Sequence, residues 1–88
     1  MNSADKKKLR ADAHSLKPVV MIGQSGLTAG VLNELNQALN THELLKIKIR
    51  AERDDRKLIS TQLCAETGAE LIQSIGQIAV LYRLNPNK

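Results

Sequence analysis

The chain has 88 residues and a net charge of +4, with 13 Lys and Arg against 9 Asp and Glu. This length predicts a single domain over residues 1–88 with a modest core. Because there is no Trp, no Phe and a single Tyr, the composition excludes nucleic-acid recognition by a platform of stacked aromatic side chains. No apolar stretch is long enough for a transmembrane helix and the N-terminus has no apolar leader, so we expect a cytoplasmic protein.

Cys64 is the only cysteine, which excludes an intramolecular disulfide and favours a reducing compartment. No Cys or His accompanies it at the spacing of a metal site, so we expect neither a metal nor a cofactor. His14 and His42 belong to separate predicted helices, and the sequence shows no obvious carboxylate or nucleophile that would act with either of them. We therefore expect no enzymatic activity and no small-molecule substrate.

The first two predicted elements are a basic helix and a short apolar strand. The helix begins with Ser3 as its N-cap and continues to about Leu16, with a narrow apolar stripe formed by Leu9, Ala13 and Leu16. Pro18 ends the helix and forces Lys17 into an extended conformation. The uncharged, β-branched run Val19–Ile22 then predicts a buried strand.

A G-x-x-G motif, Gly23-Gln24-Ser25-Gly26, follows this strand. Glycines let a main chain approach a partner closely, and the first N–H groups of the next helix, capped by Thr28, can donate to an anion. A strand, a G-x-x-G loop and a helix together can hold the phosphodiester backbone of single-stranded RNA. A plain strand-to-helix turn has the same glycine spacing, so the motif alone leaves both interpretations open.

The middle of the chain predicts a helix, a cationic strand and another helix. An amphipathic helix runs from Thr28 to about Thr41. In the following strand, Glu43–Ala51, the apolar residues Leu45, Ile47 and Ile49 alternate with Lys46, Lys48 and Arg50, which predicts one buried and one cationic face. The third helix is expected to begin at a cap formed by Asp54 or Asp55 and to end at Gly68.

Two strands, Glu70–Ile75 and Ile78–Leu84, complete the order α-β-α-β-α-β-β, with a tight turn between them at Gly76-Gln77. Helices between strands imply right-handed crossovers and parallel pairing, whereas the last two strands form an antiparallel hairpin. The predicted fold class is therefore α/β: a two-layer or sandwiched domain with a four-stranded mixed sheet.

Positive charge is concentrated in two segments. Residues 1–28 carry five basic and two acidic side chains, and residues 44–57 carry six basic and three acidic ones. Because Gln24 and Ser25 are uncharged, tight binding of phosphate groups by the loop would need these neighbouring cations. We expect the first helix to lie on the same side of the domain as the loop and to contribute more to affinity than the strand. The candidate RNA-binding residues are Gly23, Gln24, Ser25, Gly26, Thr28, Lys17, Lys6, Lys7, Lys8, Arg10, Lys46, Lys48 and Arg50.

Residues 16–28, 43–49, 66–69 and 80–83 closely resemble, in the same order, the bacterial single-domain CRM proteins of the YhbY type. The name CRM stands for chloroplast RNA splicing and ribosome maturation. The resemblance implies an RNA-binding domain with a fold similar to the C-terminal domain of bacterial translation initiation factor three. It also implies association with ribosomal RNA in precursors of the large ribosomal subunit. In the plant members the loop usually holds basic residues, whereas here it holds Gln24 and Ser25.

The sequence thus predicts a monomeric RNA-binding protein that acts in ribosome assembly. The alternative is a protein–protein adaptor whose basic faces bind an acidic partner. The salt dependence of RNA binding distinguishes the two, because contacts to phosphate make affinity fall steeply as salt increases. A reader of duplex DNA is not indicated, since the sequence shows neither a recognition-helix pattern nor a dimer seam.

Overall fold

The computed structural model describes residues 2–85 of the chain. Its elements follow the predicted α-β-α-β-α-β-β order, and β4 ends at Tyr82 instead of Leu84. The helices and strands are α1 (Ser3–Ala13), β1 (Pro18–Ile22), α2 (Ala29–Thr41), β2 (Leu44–Ile49), α3 (Arg53–Thr67), β3 (Glu70–Ile75) and β4 (Ile78–Tyr82).

The strands form a four-stranded mixed sheet in the order β1-β2-β4-β3, which confirms the predicted sheet. β1 and β2 are parallel, and β4 pairs antiparallel with both β2 and β3. The last strand of the hairpin is therefore inserted between β2 and β3. As a result β2 and β3 run in the same direction without being neighbours, and parallel pairing is confined to β1 and β2.

The helices sandwich the sheet, with α2 and α3 on one face and α1 on the other. The main core joins Leu35 and Leu39 of α2 and Leu63 of α3 to alternate strand residues such as Ile47. On the opposite face, Ala13 of α1 packs with Ile72 and Val80. The predicted alternation of β2 is confirmed, because its residues are buried at every second position from Leu45 to Ile49.

Two predicted helix starts are wrong. Asn2 rather than Ser3 is the N-cap of α1, since its Oδ1 accepts a hydrogen bond from the N–H of Asp5 at 2.9 Å. Glu52, in an extended conformation, precedes α3 without a side-chain capping bond. Asp54 and Asp55 instead lie in the first turn of α3, where negative charge stabilises the helix dipole.

Two other helix boundaries are as predicted. Thr28 caps α2 by accepting a hydrogen bond from the N–H of Val31 at 3.2 Å. Gly68 ends α3 with a φ of 74°, and its N–H donates to the carbonyl of Cys64. By contrast α1 ends at Ala13, so Leu16 lies outside the helix and does not extend its apolar stripe.

The first strand is only half-buried. Val20 and Ile22 belong to the core, whereas Val19 and Met21 are 50% and 51% exposed. The prediction of a buried strand is therefore correct for one face of β1 only, because β1 is at the edge of the sheet and α1 packs across β2 and β3 instead. One end of the α1 face of the sheet is thereby left open to solvent.

Candidate nucleic-acid interface

The G-x-x-G motif is a hydrogen-bonded turn between β1 and α2. The N–H of Gly26 donates to the carbonyl of Gly23 at 3.0 Å, and the N–H of Thr28 donates to the carbonyl of Gly26 at 3.1 Å. Gln24 and Ser25 are exposed at the tip of this turn. The turn therefore presents its polar residues to solvent immediately before the capped N-terminus of α2.

The two glycines of the motif differ in what the fold requires of them. Gly26 has a φ of +71°, a left-handed conformation that side chains with a Cβ disfavour. Gly23 is not among the positive-φ glycines, and a Cβ added there would meet no heavy atom within 4 Å among the described residues. The fold therefore accounts for glycine at position 26 and not at position 23.

The connection between β2 and α3 lies beside the loop. The N–H of Arg50 donates to the carbonyl of Ile22 at 2.9 Å, which fixes Arg50 next to the start of the motif. Gly23, Gln24 and Arg50 line one side of an open groove whose lining also includes Glu52 and Asp55. The charge around the loop is therefore mixed, with Arg50 as its cation.

The strand cations that were predicted together have different surroundings. Lys46 and Lys48 are both half-buried on the α1 side of the sheet. The Nζ of Lys46 donates to the carbonyl of His14 at 3.3 Å and so holds the end of α1 to β2. Lys48 instead lines a shallow groove with Arg50, Glu52 and Gln77. The structure thus brings Lys48 and Arg50, but not Lys46, towards the G-x-x-G loop.

Lys17 does not adjoin the loop. It precedes β1 and the loop follows β1, so at the rise of an extended strand Lys17 lies about 20 Å from Gly23. The sequence placed Lys17 in the same basic segment as the loop because β1 is short in sequence. An extended strand nevertheless carries its two ends to opposite edges of a small domain.

The prediction that α1 and the loop lie on the same side of the domain is wrong. Leu9 and Ala13 pack α1 against the sheet face opposite α2 and α3, whereas the loop leads into α2. Lys7 and Lys8 are exposed on α1, and Lys6 and Arg10 are half-buried. Lys8 lines a depression that also contains Asp5, Asp12 and Glu43. Lys8 therefore lies among carboxylates near the start of β2, at the opposite end of that strand from the motif.

Further cations that the sequence did not single out lie at the start of α3. The Nη1 of Arg56 donates to the carbonyl of Ala51 at 2.8 Å and so supports the connection that carries Arg50. Arg53 and Lys57 line a groove between α3 and β3. The high positive charge of residues 44–57 was the available signal for them, but it could not separate a supporting arginine from exposed ones.

The structure gives Cys64 the character of a packing residue. Burial raises the pKa of its thiol, and the nearby carboxylate of Glu70 raises it further. A raised pKa keeps the thiol protonated and weakly reactive at neutral pH. Within residues 2–85, no three His, Cys, Asp or Glu side chains are grouped so that they could hold a metal ion. In the same range no helix combines the length and apolar character needed to cross a bilayer.

The chain is similar to proteins from several bacteria. The model of the CRS1 / YhbY (CRM) domain family matches residues 1–83. A probable RNA-binding protein of Pseudomonas aeruginosa is 48% identical over 87 residues, which cover 98% of this chain and 84% of that protein. An RNA-binding protein of Haemophilus influenzae is 48% identical over 84 residues, covering 94% of this chain and 85% of that protein.

A solved structure has the same fold. It is the solution structure of a Staphylococcus aureus protein that has been suggested to bind RNA, with a TM-score of 0.85 and 30% sequence identity. The likeness covers 96% of this chain and 88% of the other. The similarity of sequence and of structure therefore extends over nearly the whole chain.

Proposed function

Since this chain belongs to the CRS1/YhbY (CRM) family, we propose that it is an RNA-binding protein. Relatives at 48% identity carry RNA-binding names, and the alignments cover 84% and 85% of their lengths. The net charge of +4 also favours an anionic partner. RNA is therefore the partner that sequence similarity and electrostatics support together.

The G-x-x-G loop is the proposed contact with the phosphodiester backbone. The observation that carries this proposal is Gly23, where neither φ nor crowding by the protein requires glycine. A partner that approaches the main chain closely would require it. Gln24 and Ser25 at the tip can donate hydrogen bonds to phosphate oxygens, and Thr28 positions the N-terminus of α2 behind them.

Lys48 and Arg50 are the proposed source of charge for this contact. Arg50 is fixed beside the loop by its main-chain bond to Ile22, and Lys48 lies along the same groove as Arg50. Cations contribute to RNA affinity by displacing counterions from phosphates that they contact. The cations that lie away from the loop, such as Lys17 and Lys7, have a smaller proposed role.

The substitution Gly23→Ala tests the loop. Because the protein leaves room for the added methyl group, the variant should fold normally and lose RNA affinity by about tenfold, equivalent to about 1.4 kcal/mol. The measurement is binding of the folded variant to single-stranded RNA at fixed salt. Gly30→Ala is the matched control, since its Cβ makes only an ordinary contact of 3.9 Å with Thr28. If the Gly23 variant bound RNA with unchanged affinity, the motif would be only a structural turn.

We further propose that the RNA is ribosomal RNA in precursors of the large subunit, which a single-domain monomer binds in the cytoplasm during assembly. The likeness of residues 16–28, 43–49, 66–69 and 80–83 to single-domain CRM proteins supports this step. Crosslinking in growing cells, followed by mapping of the crosslinked nucleotides, tests it. We expect crosslinks in large-subunit precursor RNA, and crosslinks confined to other RNAs would contradict the proposal.

A further inference from the structure

A row of side chains crosses the sheet at its open end, on the face that α1 only partly covers. The strand register aligns Met21 of β1 with Lys48 of β2, Lys48 with Ile78 of β4, and Ile78 with Ile75 of β3. Residues aligned in this way lie on the same face of a sheet. Met21 is 51% exposed and Ile75 is 63% exposed at the two ends of this row, and Lys48 and Ile78 between them are half-buried. These four residues are here called the open row.

A cavity of about 320 Å³ lies at one end of the open row, between the end of α1 and the sheet. Ile75, Ile78 and Val80 provide apolar surface from the sheet, and Arg10 and His14 line the side formed by α1. Gln73 and Lys46 complete the lining, which contains two cations and no carboxylate. The cavity is thus apolar on the sheet side and is lined on the helix side by the planar polar groups of Arg10 and His14. Its charge favours an anionic partner.

These groups match the requirements of a nucleobase. Unstacked RNA bases stack on His rings and on the planar guanidinium of Arg, and apolar side chains can cover the opposite face of the base. The amide of Gln73 offers both a donor and an acceptor for the edge of a base. We propose that this cavity receives an unpaired base of the RNA whose backbone lies on the G-x-x-G loop, an inference that rests on the proposed function.

The open row links the cavity to the loop. Met21 is two residues before Gly23, and Lys48 also lines the groove that contains Arg50. From β1 to β3 the row spans three strand spacings, or about 14 Å. RNA that leaves the loop along this row keeps its phosphates near Lys48 and brings a base to Arg10 and His14. Because a duplex keeps its bases stacked inside, the arrangement selects single-stranded or looped RNA.

Removal of single bases from the RNA tests this inference. The probe is a short single-stranded RNA of mixed sequence, together with the same RNA made abasic at each position in turn. For the unmodified protein we expect one abasic position to lower affinity by about 5-fold to 150-fold, the range for a stacked base. An abasic nucleotide keeps its phosphate, so the slope of affinity against salt should stay the same.

Two protein variants test whether the base at this critical RNA position binds in the cavity. Arg10→Lys keeps the charge and removes the planar group, and Ile75→Ser removes apolar surface from a residue that is 63% exposed. Both should bind the intact RNA more weakly by a similar factor and lose their sensitivity to the critical abasic position. Leu84→Ser is the matched control, because Leu84 is 67% exposed and lies beyond the other end of β4.

Three results would overturn the inference, and they differ in what they mean for the proposed function. If both variants kept the full sensitivity of the unmodified protein at every position, the cavity would not hold a base, although RNA binding at the loop would stand. If Arg10→Lys bound all probes like the unmodified protein, the cavity would act through charge alone, as for an acidic peptide. Failure of the unmodified protein to bind RNA would remove both proposals.

Discussion

Gly23 and Gly26 are three residues apart in one turn, but different physical causes act on them. Gly26 is required by its own backbone, whose φ of +71° is in the left-handed region. Gly23 does not have a positive φ, and a Cβ added to it would lie in open space. A sequence motif treats both positions alike, whereas the conformation separates a glycine needed for folding from one available for function.

This difference predicts opposite effects of alanine on stability. Gly26→Ala should lower the free energy of unfolding by about 1–2 kcal/mol, the cost of a Cβ in the left-handed region. Gly23→Ala should change it by less than about 0.5 kcal/mol, as at other unconstrained surface positions. Urea unfolding of the two variants measures both values. Equal stability of the two variants would show that the turn does not impose the left-handed conformation on residue 26.

At the scale of elements, one arginine connects β4 to both α2 and α3. The guanidinium of Arg83, just after β4, donates to the carbonyl and Oδ1 of Asn36 and to Oδ1 of Asn40, all in α2. It also donates to the carbonyl of Thr67 at the end of α3 at 2.8 Å. The carbonyls of Asn36 and Thr67 thus accept hydrogen bonds from Arg83. They lie at the end of the sheet opposite the G-x-x-G loop. Arg83 is therefore a structural residue, although its charge alone would include it among candidate RNA contacts.

The substitution Arg83→Lys should destabilise the protein without affecting RNA binding directly. A lysine keeps the charge but cannot match the planar fork of donors. Loss of hydrogen bonds that involve a charged group costs about 2 kcal/mol, to be measured by urea unfolding. Lys57→Ala, at an exposed position, is the control and should be close to neutral. A drop in RNA affinity of the folded Arg83 variant would place this residue in the interface after all.

At the scale of the whole molecule, the layers decide which cations can act together. α1 carries many cations but packs on the sheet face opposite α2 and α3. The end of β2 adjoins the loop, because the main chain of Arg50 is bonded to Ile22. We therefore expect the position of a cation in this layered structure to matter more for RNA binding than the charge density of its sequence segment.

Two pairs of charge substitutions test this conclusion. Lys48→Gln with Arg50→Gln should weaken RNA binding and make its salt dependence shallower by about 0.7 for each phosphate of single-stranded RNA that the variant no longer neutralises. Lys7→Gln with Lys8→Gln removes the same charge from α1 and should have the smaller effect. Affinity measured over a series of salt concentrations gives both quantities. A larger effect of the α1 pair would restore the first helix as the main source of electrostatic affinity.

Local patterns in the sequence were sufficient for most of the fold. The alternation from Leu45 to Arg50 predicted the face of β2, because successive side chains of a strand point to opposite sides. Thr28 and Gly68 marked helix ends through capping interactions with residues close by in sequence. The caps at Asn2 and Glu52 were misassigned because several neighbouring polar residues could serve, and only the conformation of the built helix selects among them.

The sequence by itself determined the order of elements, the G-x-x-G turn and the family, since each depends on neighbouring residues or on their identity. Only the tertiary structure decided that β4 separates β2 from β3, that α1 packs alone on one face, and that Arg50 rather than Lys17 adjoins the loop. These outcomes depend on long-range pairing and on which apolar surfaces bury one another. A charge count along the chain carries no information about either, so the candidate interface could be assembled only from the folded molecule.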